Sequence, residues 1–261
     1  MTKLKLIFSF LFLSLFIFAS ARAEVISSFW RTEKSQHFIV YYQQANPTFV
    51  SELINKAEDY YNGIMEELGY RRFDFWSWDN RAKIYLYDNA DDFHKETQRE
   101  GWTGAIVSVP NRTIQSYVGQ SGFFDSLLPH EMTHIIFREF IGKQIALPLW
   151  IDEGVACSQE KSSLLARMRI ATELVTQGQY LTLDELSKVS KLDDKITPRV
   201  FYSEAASIIV FLIQKEGKTG FLDFSRALRD GTDWKKALLK TYNFSSLQEM
   251  EEKWKEMLCK M

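Results

Sequence analysis

The chain is sparing with the side chains that most often carry chemistry. Its 261 residues include four histidines and two cysteines, and only five prolines interrupt it. Two cysteines permit at most one disulfide, so the fold must be held by its core. Charge is nearly balanced, with 32 Lys+Arg against 34 Asp+Glu and a formal net charge of −2. That removes the basic excess expected of a protein that binds nucleic acid or an anionic membrane surface. No internal repeat or low-complexity stretch is present, and no apolar run reaches the ~20 residues of a membrane-spanning helix. Core-forming residues are plentiful: 46% of the chain is hydrophobic and 15% aromatic, an ordinary globular composition rich in large rings.

The start of the chain stands apart. Lys3 and Lys5 precede an apolar run from Leu6 to Ala19, and Ala21-Arg22-Ala23 places small residues where a signal peptidase reads. Residues 1–23 are predicted to be a signal peptide cleaved after Ala23; the competing reading, an uncleaved anchor, needs a longer run. The mature chain then carries 29 basic and 34 acidic residues, a net charge of −5. It is expected to be secreted or periplasmic, without membrane attachment after cleavage. Export permits a bond between Cys157 and Cys259. Both also suit small buried hydrophobic positions.

Two lobes are predicted. Residues 24–125 form an α+β lobe. Alternation in Gln36–Tyr42 and Arg81–Asp88 marks strands, and Thr103–Val109 with Arg112–Val118 forms a hairpin around Pro110-Asn111. A long helix runs from Pro47 to Leu68 and stops at Gly69; a short one covers Asn89–Gln98. Residues 126–261 read as helices only. They run from Ser126 to Ile141, from Pro148 past Ala156, and from Gln159 to Gln177. A capping box of Thr182 and Glu185 opens the next. Tyr202–Glu216 stops at Gly217, and Phe221–Arg229, Trp234–Tyr242 and Leu247–Cys259 complete the lobe.

Two of the four histidines fall in His130-Glu131-Met132-Thr133-His134, inside a helical pattern. Four residues apart on a helix, their side chains lie about 40° from alignment and roughly 6 Å apart along the axis, so both reach one metal ion from one face. Glu131 projects about 100° round from His130, placed to act on water beside the metal. A catalytic zinc takes three protein ligands and keeps one open position. After eighteen intervening residues (135–152), a second helix brings Glu153, followed by Gly154. The intervening turn at Gly142 lets that helix fold back antiparallel, with Gly154 permitting close packing of the two.

HExxH, eighteen residues, then Glu-Gly resembles the gluzincin zinc metallopeptidases. The small exported bacterial peptidase-MA-like proteins are similar over nearly the whole mature length. The shared features are the strand His37-Phe38-Ile39-Val40, the histidine helix, Pro148-x-Trp150-x-x-Glu153-Gly154, and an aromatic helix near Phe201-Tyr202. A last helix carries Leu247 and Trp254. The resemblance implies a thermolysin-like α+β fold, with a small mixed sheet packed on the HExxH helix and a helical lobe after it. It also implies Zn²⁺ held by His130, His134 and Glu153, with Glu131 as general base. Relatives place an oxyanion donor on a later helix, and Tyr202 occupies that place; a packed aromatic is the alternative for it. The implied substrate is a peptide or protein.

Neighbouring residues read more plainly. Asp152 points about 100° away from Glu153, so solvent exposure is expected for it over a bond to a ligand histidine. His37 and His94 read as packing or surface residues. A deformylase draws a cysteine ligand from before its motif, and no cysteine precedes His130. A non-catalytic scaffold retaining the fold is the other alternative, but structural zinc has no use for Glu131. Zinc aminopeptidases carry a glutamate on the strand before the histidine helix. No carboxylate lies between Gly101 and Gly122 here, which favours endopeptidase action.

Overall fold

A computed structural model describes residues 30–261, apart from 72, 74, 75, 100, 102 and 193–196. The signal peptide expected over residues 1–23 lies outside the described residues. Strand β2 (Phe38–Tyr42) buries Phe38, Val40 and Tyr42, and β3 (Ala82–Tyr87) buries Ala82, Ile84 and Leu86. The alternation seen in the sequence is therefore the division between core and outer face. These strands run parallel, joined through helix α1 (Pro47–Glu67). Asn46 caps α1 by accepting the Thr48 N–H, and Pro47 sits in the first turn, where its missing N–H leaves no bond unmade. Val50, Leu53, Ala57, Tyr61 and Ile64 form its buried stripe.

Among the described residues, β1 (Arg31–Lys34), β4 (Ala105–Ser108) and β5 (Thr113–Tyr117) complete a five-stranded sheet in the order β1-β2-β3-β5-β4. Antiparallel β1 (Arg31–Lys34) covers one edge. Its sequence, Arg-Thr-Glu-Lys, is polar and exposed throughout, so it has no periodic signal and is held by backbone pairing alone. Helix α2 (Ala90–Thr97), capped by Asn89, precedes the expected hairpin of β4 (Ala105–Ser108) and β5 (Thr113–Tyr117). β5 pairs parallel with β3, leaving β4 as the second edge beside the histidine helix.

That helix, α3 (Leu128–Ile141), begins two residues later than the pattern suggested, because Phe123–Leu127 forms a wide π-helical turn. Pro129 has no N–H with which to continue an α-helical ladder back into this segment. Leu127 instead bonds back to the Gly122 carbonyl. Helix α4 (Leu149–Ser158) follows and packs most extensively on α7 (Pro198–Arg229), which Gly217 breaks at φ 66°, ψ −176°. Between them lie α5 (Lys161–Thr176) and α6 (Leu183–Lys188), the latter opened by the Thr182–Glu185 capping box. Helices α8 (Trp234–Thr241) and α9 (Leu247–Leu258) close the lobe. Trp254 of α9 is fully buried and donates to Ser207 Oγ at 3.0 Å, fixing the last helix to α7.

Among the described residues, no helix is long and apolar enough to cross a membrane. Strands then helices, with the histidine helix between sheet and helical lobe, make the α+β zincin-like arrangement expected of the sequence.

Candidate metal centre

Helices α3 and α4 pack together and turn three side chains onto one point. His130 Nε2 and His134 Nε2 lie 3.1 Å apart. Glu153 Oε2 lies 3.5 Å from the first and 3.7 Å from the second. A tetrahedral zinc with ligands at ~2.0–2.2 Å has edges of about 3.3–3.6 Å between donor atoms. Two imidazole nitrogens and one carboxylate oxygen at these separations suit such an ion in both distance and chemistry. The spacing expected from a four-residue step and a folded-back second helix is met.

Each histidine is backed on its other nitrogen. His130 Nδ1 lies 2.7 Å from Glu160 Oε1, with Cys157 Sγ at 3.9 Å. Burial works to lower the His130 pKa, but Cys157, Glu153 and Glu160 more than offset it and the result is well above the ordinary value. Burial also acts on Glu160, raising its pKa. Bonds from His130, Arg167 and Ser163 outweigh that and hold its carboxyl well below the usual range. His134 Nδ1 faces Asp152 Oδ1 at 3.6 Å, and Arg138 donates to both Asp152 oxygens at 3.1 Å.

Asp152 is thus not the exposed residue expected. The two adjacent carboxylates divide their contacts: Glu153 faces the imidazole Nε2 atoms, and Asp152 faces Arg138. Arg138 also donates to the Ile145 carbonyl at 2.7 Å, fixing the turn that folds α4 back.

Gly154 differs too. The helix it lets approach is α7: a Cβ there would lie 2.6 Å from the Ala205 carbonyl oxygen. The fold-back onto α3 is set by the 142–148 turn, and the small residue serves the opposite face of α4.

Glu131 lies on α3 between His130 and His134, partly buried. Burial raises its pKa, and the two histidines oppose that. Tyr202, in the first turns of α7, packs beneath the Arg167 guanidinium, 5.7 Å from the ring centre. Its phenol is pushed up to about 12, by burial and then by the Glu153 carboxylate. The ring thus packs against Arg167 while the Glu153 carboxylate acts on its hydroxyl. A cavity of about 310 Å³ opens beside His134 and Glu153, walled by Val107, Val109 and Pro110 of the edge hairpin.

The remaining histidines are packing residues, as read. His37 is buried, 2.5 Å from Glu58 and stacked on Tyr61, and His94 bonds the Thr103 carbonyl. Cys157 and Cys259 are both free, so the possible disulfide is absent. Cys157 faces His130 inside the core, whereas Cys259 is exposed at the end of α9. Sequence reasoning missed Glu160 and Arg167. Glu160 lies past the end of α4, at the N-cap of α5, so no helical spacing from Glu153 signals it.

No curated protein matches the chain. A family profile described as the peptidase MA superfamily matches residues 78–260, spanning the edge hairpin, both metal-site helices and the helical lobe. The chain belongs to the peptidase MA superfamily.

Proposed function

We propose that this chain is an exported, zinc-dependent peptidase that cuts inside extended polypeptides, with His130, His134 and Glu153 as ligands and Glu131 as general base. The observation that carries the reading is the triangle of donor atoms, 3.1, 3.5 and 3.7 Å on its sides. Family membership supports peptidase chemistry, and the leader-like residues 1–23 support export. When bound, zinc supplies Lewis acidity, polarising the scissile carbonyl and making water a competent nucleophile at neutral pH.

The protein's own groups do the rest. Glu131 takes a proton from the attacking water and returns it to the departing amine. Tyr202, protonated at neutral pH, donates to the oxygen that gains charge. Edge strand β4 offers main-chain groups for an extended substrate to pair with, and the segment from Gly101 to Gly122 contains no carboxylate to grip a terminal amine. The substrate is a peptide or protein, with no nucleic acid or membrane partner.

Elemental analysis of the purified mature protein should find about one zinc per chain, lost in His134→Ala and Glu153→Ala. Glu131→Gln should keep the zinc and lose peptide hydrolysis by at least ~10²-fold. Full zinc occupancy in Glu153→Ala, or near-normal turnover in Glu131→Gln, would overturn the assignment.

A further inference from the structure

Two groups of potential ligands share His130. One uses Nε2 with His134 and Glu153; the other brings Cys157 and Glu160 to Nδ1. A neutral imidazole has one protonated nitrogen and one lone pair, so the same ring cannot serve both. We propose that Glu160 is a positioning residue that claims the Nδ1 proton of His130 and thereby commits Nε2 to the metal. This rests on the zinc reading above.

The geometry of Glu160 carries the inference. Its side chain is only 3% exposed, and Oε1 lies 2.7 Å from His130 Nδ1. Oε2 accepts from Ser126 Oγ at 3.0 Å, Ser163 Oγ at 2.5 Å and Arg167 NH2 at 2.8 Å. The donors come from the turn before α3 and from the first two turns of α5, so the carboxylate cannot swing away from the ring. A buried anion so fully matched is a holder. A cation placed between Cys157 and Glu160 would compete with the Arg167 guanidinium for the same carboxylate. The second group is therefore the support of the first, and not another metal site.

The support is unequal. Asp152 stands 3.6 Å from His134 Nδ1, beyond hydrogen-bond reach, with both oxygens taken by Arg138. His130 is the rigidly held ligand and His134 the looser one. Removing Glu160 should cost more metal affinity than removing Asp152.

The test is zinc affinity of the full mature chain by competition with a chelator, alongside thermal melting of the zinc-free proteins. Glu160→Ala should bind zinc about 10- to 100-fold more weakly than wild type. Glu160→Gln, which keeps an acceptor for Nδ1–H, should recover part of that loss, and Asp152→Ala should lose less. On unmutated protein with ¹⁵N-labelled histidine, the His130 resonances should show a protonated Nδ1 and a zinc-bound Nε2. This reading needs no variant to fold. Unchanged affinity in a folded Glu160→Ala, or a larger loss from Asp152→Ala, would overturn the inference while leaving the zinc reading intact, whereas zinc on Nδ1 would overturn both. A wild-type chain that takes up no zinc would overturn both.

Discussion

Gly154 and Gly63 are both helical glycines, and their surroundings predict opposite outcomes for the same change. A Cβ at Gly63, in α1, meets nothing within 4 Å. Gly63→Ala should therefore gain the helix propensity of alanine, about 1 kcal/mol. A Cβ at Gly154 would meet the Ala205 carbonyl oxygen at 2.6 Å and the Ile209 Cγ1 at 2.9 Å. Ile209 can rotate. The carbonyl belongs to the α7 backbone, and reaching ordinary contact at 3.4 Å requires the helices to part by about 0.8 Å. Overpacking of this kind costs about 1–3 kcal/mol. Propensity cancels between the two substitutions, so this term is the difference to be measured. At ~2–4 °C per kcal/mol for a domain of this size, Gly154→Ala should melt some 2–12 °C below Gly63→Ala. Because Glu153 is the preceding residue, the shift of α4 also moves its carboxylate, and zinc affinity should fall in Gly154→Ala alone. Equal melting shifts for the two substitutions would refute the reasoning.

Buried Glu204 accepts from the Leu181 N–H, yet burial pushes its pKa up to about 8. With ~4.3 in the unfolded chain, the folded state holds the proton more tightly. Its contribution to stability is thus full below pH ~4.3 and declines as pH rises to about 8. Glu204→Gln should gain on wild type in denaturant midpoints between pH 5 and pH 8; parallel profiles would refute this. Thiol counting on unreduced protein should give one fast-reacting thiol, Cys259, when folded and two when denatured; no reactive thiols after denaturation would mean a disulfide. N-acetylation of a cleaved peptide should leave its internal cleavage unchanged. Abolished cleavage, with single residues released from the free peptide, would mean aminopeptidase action.

What could be read from the sequence follows from how local the determining physics is. The period-2 runs of β2 and β3, the helix start at Pro47, the capping box at Thr182 and the break at Gly217 are decided within a few residues, and each stands where its pattern placed it. The two histidines share a face because one helix carries both, and Glu153 joins them because a short turn allows few other paths. The misreadings concern groups whose fate is set by a third element. Asp152 was judged by its angle to Glu153 on one helix, but Arg138 of another helix draws it into the groove. Gly154 was assigned to the contact between α3 and α4, although the close approach is to α7. Strand β1 has no side-chain pattern at all and exists because β2 offers an unpaired edge. Glu160 shows the limit most clearly. Its role depends on Ser126, Ser163 and Arg167 converging from two segments, and nothing in the spacing of those four residues implies that they meet. A ligand histidine nevertheless carries a requirement of its own: once Nε2 faces the metal, Nδ1–H is a buried donor that must find an acceptor. Two such donors, on His130 and His134, call for two acceptors near the start and end of the motif. Glu160 meets that requirement for His130 Nδ1 at 2.7 Å, whereas Asp152 stands 3.6 Å from His134 Nδ1 and is taken by Arg138.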